Sequence, residues 1–446
     1  MLNVYSFVPQ GAHASYYLRV QTPLMTARDL GLPIRTIIDT NKEGVNPEQR
    51  IKNFCEADIV LLYQPIGEGT LHNIRMAKSF IPSKRDGDWK YPPTVIMDTD
   101  DNLCRVDPHN PAFGGLGFRD PETGKEIPKG HSISELVDGV RRLLWKDGAK
   151  LEDGSVPFDV ARNKAAIDTY RQIINEADCV TCTTPRTANY VQEEASPRRV
   201  HIFPNMVRFA DYVQLDLMPH PHEIRILWQG GQNHEMDWRP LRQQLGNITK
   251  KYPQVHWVMW GVDYKKTTEL VPPERITFLP WAPYEEYKLR RVMIGEDISL
   301  APLSPDLFND CRSAIKWYEA SVSKRPAATL AQNTGPYRDE IKDGETGLLF
   351  NTPEEFEENL SLLIEDTEQR KTLAANAKDW VNENRDAFKE VPKLIGYYER
   401  LREEIKYDQP HMPDSAWEAF EKQMEEQAKK EQEEQQKKQE PQLQPA

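Results

Sequence analysis

The chain has 446 residues, 38% of them hydrophobic and 28% charged, with 57 Lys and Arg against 70 Asp and Glu for a formal net charge of −13. That length holds two ordinary domains plus extensions, and the acidic balance argues against a globally basic nucleic-acid binder while allowing a local basic patch. No apolar run approaches the ~20 residues that a membrane-spanning helix needs.

Residues 2–9 read as a buried strand and lack the basic-then-apolar layout of a secretory leader, so a cytoplasmic protein is expected. Apolar strands follow at 34–38, 58–63, 94–97, 179–183 and 200–203, with amphipathic helical patterns such as 15–30 and 161–176 between them. Alternating strand and helix imply a parallel sheet covered on both faces. Residues 105–159 break the pattern. This insertion is rich in Gly, Pro and charge, and its apolar spacing predicts a helix over 132–145. A stretch this long inside a compact domain is usually functional or mobile.

A hinge near 211–222, marked by Pro219 and Pro221, precedes a second series of strands at 224–228, 256–260, 275–279, 297–301, 326–330 and 348–350. Helices are expected at 238–251 and 313–323. The fold class is therefore α/β, with two doubly wound domains over 1–210 and 222–385, then a C-terminal helix over 386–410. Residues 411–446 are dominated by Glu, Gln and Lys and read as a solvated helix or disordered tail. Five cysteines are scattered. Cys179 and Cys182 form a CxxC inside an apolar strand with no second pair, so buried, reduced thiols are expected rather than a metal or redox site.

In open α/β sheets ligands bind beyond the carboxyl ends of the strands, and two facing domains place both sets of loops in one cleft. The most informative loop runs from Phe308 to Glu319. It follows a strand and opens a helix, where free N–H groups favour an anion. Arg312, Lys316 and Glu319 fall at helical spacing on one face. Two cations at such a position suit a diphosphate, and Glu319, deeper in, suits ribose hydroxyls. A nucleotide-sugar site is the reading.

Three other strand ends offer candidates. Asp98, Asp100 and Asp101 follow the 94–97 strand. They read as a DxD clamp for a divalent ion on a diphosphate, as groups acting on the acceptor, or as a solvated strand end. His13 sits in a small-residue loop after the first strand, with Arg19 placed deeper as a structural residue. Gly230 and Gly231 allow close backbone approach to a ligand. His234 is placed to hydrogen-bond donor phosphate, and Asp237 to cap the next helix. Trp228, Trp257 and Trp260 read as core.

Several motifs taken together carry a resemblance: Ile226-Leu227-Trp228-Gln229-Gly230-Gly231, the strand Trp257–Gly261, the 276–281 segment, Gly335-Pro336-Tyr337, and Asp343-Gly344-Glu345-Thr346-Gly347. From Leu2 to about Arg385 the chain resembles the GT-B glycosyltransferases, in particular the family-4-like retaining group. The resemblance implies an acceptor-side first domain and a donor-binding second domain. The donor would be a nucleotide-diphospho sugar, acting as substrate, with no cofactor or metal ion required and retention at the anomeric carbon. It implies His13, Asp98, Asp100 and Asp101 as catalytic residues. Gly230, Gly231, His234, Asn309, Asp310, Arg312, Ser313, Lys316 and Glu319 are then donor-binding residues. The acceptor would be a saccharide, a lipid-linked or a modified nucleic-acid hydroxyl. One departure stands out: Cys311 occupies the place of the first of the family's two glutamates, and Glu319 that of the second. Two alternatives remain beside this reading. Arg105, Arg119, Arg141, Arg142 and Trp145 would serve a viral-type DNA-modifying glycosyltransferase. The Cys311 departure would suit a non-catalytic nucleotide-sugar binder.

Overall fold

The computed structural model describes residues 1–7, 14–39, 46–79, 83–85, 88–120, 123–137, 140–212, 220, 222–231, 234–262 and 265–407. His13, most of the expected hinge and the 411–446 tail lie outside the described residues.

The first domain contains β1 (Leu2–Phe7), β2 (Ile34–Asp39), β3 (Ile59–Tyr63), β4 (Ser83–Arg85), β5 (Asp88–Lys90), β6 (Thr94–Thr99), β7 (Ser132–Val137), β8 (Val140–Lys146), β9 (Cys179–Cys182) and β10 (Val200–Ile202). Six of them form one sheet in the order β10-β9-β6-β3-β1-β2, every pairing parallel. Strands β3, β6 and β9 are buried on both faces, which is why they read as unbroken apolar runs rather than alternating ones. The second domain contains β11 (Ile224–Gln229), β12 (Val255–Gly261), β13 (Ile276–Pro280), β14 (Ile298–Ala301), β15 (Ala328–Gln332) and β16 (Leu348–Phe350). These form a second parallel sheet in the order β13-β12-β11-β14-β15-β16. The strand order reverses at β11 and β14, the switch point at which a doubly wound sheet opens a crevice.

Trp228 and Trp257 are buried in the second core and Trp260 in a smaller cluster of the same domain, as the sequence implies, and Trp238 joins the first two. The CxxC resolves simply. Residues three apart on a strand point to opposite faces. Cys179 accordingly packs with one side of the first sheet and Cys182 with the other, and both thiols are free.

The helix Ala387–Tyr407 returns to the first domain. Its Val391, Leu394, Tyr398 and Leu401 pack against Leu2, Val4, Val20 and Leu24, closing one face of the first sheet. The domains also meet directly. Thr187 Oγ1 donates to the Cys311 carbonyl at 2.7 Å, Asn205 Nδ2 donates to Ser313 Oγ at 2.7 Å, and Tyr17 stacks on Tyr284 with centroids 4.3 Å apart.

Two expectations are corrected. Residues 132–145 are not helical: β7 and β8 pair antiparallel as a hairpin, Val137 opposite Val140. Ile133, Leu136, Val137, Val140, Leu143 and Leu144 do recur at helical spacing. The intervening Asp138-Gly139, a dipeptide strongly favoured between hairpin strands, was the stronger signal. The expected helix at 313–323 is shorter, Ile315–Ser321, and Arg312 precedes it in an extended conformation. Arg312 therefore does not share a helical face with Lys316 and Glu319.

Candidate functional site

The carboxyl ends of the two sheets face each other across a cavity of about 320 Å³. The first domain lines it with Ser15, Leu18, Asp100, Asp101 and Asn205; the second with His234, Arg312, Ser313, Lys316 and Tyr337, among others. Opposite charges thus stand on opposite walls, carboxylates on the first domain and cations on the second.

On the second-domain wall the helix turn at Lys316 carries its side chain inward, and the residue is only 8% exposed. Its ammonium lies 5.6 Å from the centre of the Trp228 ring, with no hydrogen bond or ion pair to it among the described residues. Burial pushes this ammonium down to about 8. Arg312 stacks on Phe308 at 4.9 Å and keeps its Nε buried without a partner. His234 is buried, and desolvation beside Lys316 and Arg312 pushes its imidazole down to about 3. The ring is therefore neutral near pH 7. Its Nδ1–H donates to Asp237 Oδ2 at 2.5 Å, which leaves Nε2 to accept from Arg312 Nη1 at 3.2 Å. Asp237 Oδ1 accepts from the Ser304 N–H at 2.7 Å, so Asp237 anchors the ring to the loop after β14; it lies inside the helical turn Glu235–Trp238 and does not cap the next helix as expected.

Gly230 fits between two rings. A Cβ there would stand 2.6 Å from Trp228 and 2.8 Å from His234. Gly335, at φ +47°, lets its turn approach the Asn309 carbonyl and the Asp310 backbone, where a Cβ would meet atoms at 3.0–3.1 Å. Glu319 is buried, and Tyr287 O–H and Gln229 Nε2 both donate to its Oε2 at 2.6 Å. Burial raises its carboxyl above the usual carboxylate range.

The loop residues do different work from that expected. Asn309 Nδ2 donates to the Ser304 carbonyl and to Asp306, so Asn309 shapes the loop and does not line this cavity. Asp310 accepts from Thr334 Oγ1 at 3.2 Å and faces Arg186 of the first domain. Ser313 does line the cavity. Gly231 is exposed beside Gly230. Cys311 is buried in apolar contact with the first domain's core, and burial pushes its thiol up to about 12. A glutamate would be poorly housed there.

On the first-domain wall the aspartates divide. Asp98, expected at the site, does not line the cavity and is engaged inside the first domain. Arg19 binds both its oxygens at 2.8 and 2.7 Å, and Thr181 Oγ1 donates to Oδ2 at 2.5 Å, all of it buried. A π-helical turn, Tyr17–Gln21, turns Arg19 inward, and Arg19 also donates to the Phe203 carbonyl. Asp100 and Asp101 lie just past the strand end and line the cavity. Asp100 Oδ1 accepts from Tyr63 O–H at 2.7 Å and from Gln64 Nε2 at 2.9 Å. Burial, then the neighbouring Asp100 charge, push the Asp101 carboxyl up to about 7. Gln64, at φ 40°, is the one non-glycine residue with positive φ among the described residues. Such strain concentrates at functional sites. Gln64, Tyr63 and Tyr287 carry no motif that marks them in the sequence, and Gln229 stands out there only as part of the 226–231 motif.

Most of the basic residues expected for nucleic acid are engaged in ion pairs within the protein. Arg105 and Arg119 pair with Glu194, Arg142 pairs with Glu135, and Trp145 packs on Phe113 and Phe158. Among the described residues no group of three His, Cys, Asp or Glu side chains is arranged to hold a metal ion, and no helix is long and apolar enough to cross a membrane.

No protein-family model and no curated protein matches the sequence. Solved structures match in fold. Sucrose-phosphate synthase from Thermosynechococcus elongatus superposes with a TM-score of 0.55 at 11% identity, over 90% of this chain and 99% of that one. HepE from Anabaena, in complex with UDP and glucose, gives 0.55 at 11% identity over 90% and 100%. A glycosyltransferase from Rickettsia africae gives 0.55 at 12% identity over 90% and 98%. The architecture is the GT-B fold.

Proposed function

We propose that the chain is a glycosyltransferase that takes a hexose from a nucleotide-diphospho sugar and transfers it to an acceptor hydroxyl. One observation carries this reading: Lys316 is 8% exposed and makes no direct hydrogen bond or ion pair among the described residues, Asp237 and Glu319 acting on it only at longer range, and it lies beside Arg312 in the cavity between the domains. A buried ammonium without a partner is costly unless a ligand supplies the opposite charge. A diphosphate does so, and the fold neighbour HepE is solved with UDP-glucose, so UDP-sugars are the first donors to test.

In the transfer the acceptor oxygen bonds to the anomeric carbon as the bond from that carbon to the diphosphate breaks. The electron pair leaves on the diphosphate. Arg312, held by neutral His234, and Lys316 are placed to stabilise that charge. Glu319 is deeper in and takes ribose hydroxyls. Across the cavity Asp100 and Asp101 orient the acceptor hydroxyl, and Asp101, with a carboxyl near 7, accepts its proton. The positive charge comes from side chains, so the reading needs no metal ion or cofactor. Retention at the anomeric carbon belongs to this reading, as does a cytoplasmic location, where nucleotide sugars are made.

Thermal-shift and calorimetric titration with UDP-, GDP-, ADP- and TDP-sugars test it. One nucleotide sugar should stabilise the protein, with the effect lost in Lys316→Ala and a glycosylated product formed with a saccharide acceptor. Absence of stabilisation by all four, in a folded protein, overturns the donor assignment. Tight donor binding with neither transfer nor hydrolysis favours the non-catalytic binder instead.

A further inference from the structure

Beside the main cavity lies a second one of about 180 Å³. The 105–159 insertion builds one wall and the second domain the other. The insertion is tied across the cleft: Glu135 of β7 accepts from Arg239 Nη1 at 2.9 Å and contacts His109 Nε2 at 3.0 Å. His109 Nδ1 meets Asp107 Oδ1 at 2.9 Å, so both ring nitrogens are engaged and the loop is fixed.

Four features describe what this cavity would hold. First, Asn110 is 8% exposed and lines it. Its Oδ1 accepts from the Ala112 N–H at 3.0 Å, while its Nδ2 has no partner among the described residues. That amide donor opens onto the cavity, where it is available to an acceptor oxygen of a ligand. Second, acceptor capacity lies opposite. Asp107 uses only Oδ1 internally, and Asp306, which holds Asn309 through the N–H at 2.8 Å and Nδ2 at 2.7 Å, keeps a lone pair on each oxygen. Third, Met236, Pro305 and Phe308 supply an apolar surface. Fourth, the charge is negative, opposite in sign to the cationic wall of the main cavity. Burial, and after it the Asp107 and Asp237 charges, push the Asp306 carboxyl up to about 6.

An amide donor, carboxylate acceptors and an apolar floor match the alternating hydroxyls and C–H face of a pyranose ring. The same carboxylates repel a phosphodiester. The cavity also adjoins the transfer centre. Asp237 binds His234 of the main cavity through one oxygen and the Ser304 N–H through the other, so a single hydrogen-bonded wall separates the two spaces.

We propose that the second cavity is a carbohydrate subsite that holds one uncharged hexose unit of a saccharide acceptor, with Asn110, Asp107 and Asp306 reading its hydroxyls. This rests on the glycosyltransferase reading above, and it assigns a role to the insertion. It selects a saccharide over a nucleic-acid acceptor.

Saturation-transfer NMR on the full chain tests it without any donor present. The probes are the methyl glycosides of glucose, galactose and mannose. At least one should give ring-proton signals, reduced at least tenfold in intensity in Asn110→Leu and in Asp107→Asn, and retained in Lys316→Ala. The Lys316 arm separates this inference from the donor assignment, because a failure there leaves hexoside binding untouched. Thermal melting and UDP affinity, unchanged in the Asn110 and Asp107 variants, establish that both fold. No signal from any hexoside, with UDP binding intact, overturns the proposal. So does a signal that persists in both variants, displacement of the hexoside by a single-stranded oligonucleotide, or a loss of UDP-glucose hexose signals in Asn110→Leu, which would place the donor sugar there.

Discussion

Arg312 Nη1 stands 3.2 Å from Nε2 of His234, so a guanidinium rests on a neutral imidazole instead of on a carboxylate. The arrangement holds Arg312 in place without cancelling its charge. A carboxylate in that position would pair with Arg312 and compete with an incoming diphosphate. Asp237 sits one step back, bound to the other ring nitrogen. It fixes the tautomer that makes Nε2 an acceptor.

His234→Leu should therefore weaken UDP-sugar binding by about tenfold, the worth of one hydrogen bond to a charged group at ~1.5 kcal/mol. His234→Gln, which can still accept from Arg312, should recover part of that loss. Since burial holds the ring at about 3, the wild-type pH profile should show no limb from His234 between pH 5 and 8. Calorimetric donor affinity in both variants checks this; equal affinity in Leu and wild type would remove His234 from the site.

Lys316 sets a second expectation, with opposite signs for binding and folding. Its pKa is lowered from 10.5 to about 8 in the folded protein. Between those values the unfolded chain binds more protons, so this group's contribution to stability rises as pH climbs through the window. Donor binding behaves oppositely. A diphosphate favours the charged ammonium, so affinity for a nucleotide diphosphate should fall about tenfold per pH unit above about 8. Lys316→Met, which retains packing over Trp228, should show weak and pH-independent affinity in that range. A wild-type affinity flat from pH 7 to 10 would show that Lys316 does not meet the anion.

The twelve strands of the two six-stranded sheets were legible, the central ones because buried parallel strands are continuous apolar runs, and Ile59–Tyr63 and Ile298–Ala301 show little else. The cluster of Arg312 and Lys316 was legible because a strand end followed by two cations is a local signal. What sequence spacing could not supply was direction. Asp98 and Asp100 are two residues apart, yet only the structure shows Arg19 occupying one and leaving the other to the cavity. Arg312 escaped the helical reading because the chain is extended at that residue before the helix begins at Ile315. The second cavity was invisible for a further reason. Asn110 and Asp306 are far apart in the chain, and only the docking of the insertion hairpin brings them together.

The division among the aspartates is itself testable. Asp98→Ala removes both carboxylate contacts from a fully buried guanidinium, and breaking such a pair costs about 3–5 kcal/mol. Urea unfolding should show a loss of this size. Asp100→Asn keeps the shape and can still accept from Tyr63 and Gln64, so its midpoint should stay within about 1 kcal/mol of wild type. Comparable stability in Asp98→Ala and Asp100→Asn would return Asp98 to the list of groups with a direct role in transfer.

The remaining prediction concerns what Asp100 and Asp101 do at the cavity. Two readings of these residues make opposite demands. As a metal clamp they would hold a divalent ion against the donor diphosphate, and chelation would abolish transfer. On the proposed reading Arg312 and Lys316 meet that charge, and the carboxylates across the cavity orient the acceptor hydroxyl and accept its proton. Transfer should then survive excess EDTA. Asp101 is held up to about 7 by burial and, second, by the charge on Asp100. The base form is the active one, so kcat/KM for the acceptor should rise as pH climbs through 7 and level off above it. Asp100→Asn removes the neighbouring charge and leaves the burial, so the same limb should persist at lower pH. Donor affinity and background donor hydrolysis should be nearly unchanged in that variant, while transfer falls. Full loss of transfer in EDTA, restored by Mg²⁺ or Mn²⁺, would overturn this reading. A limb that does not move in Asp100→Asn would show that the titrating group is not Asp101.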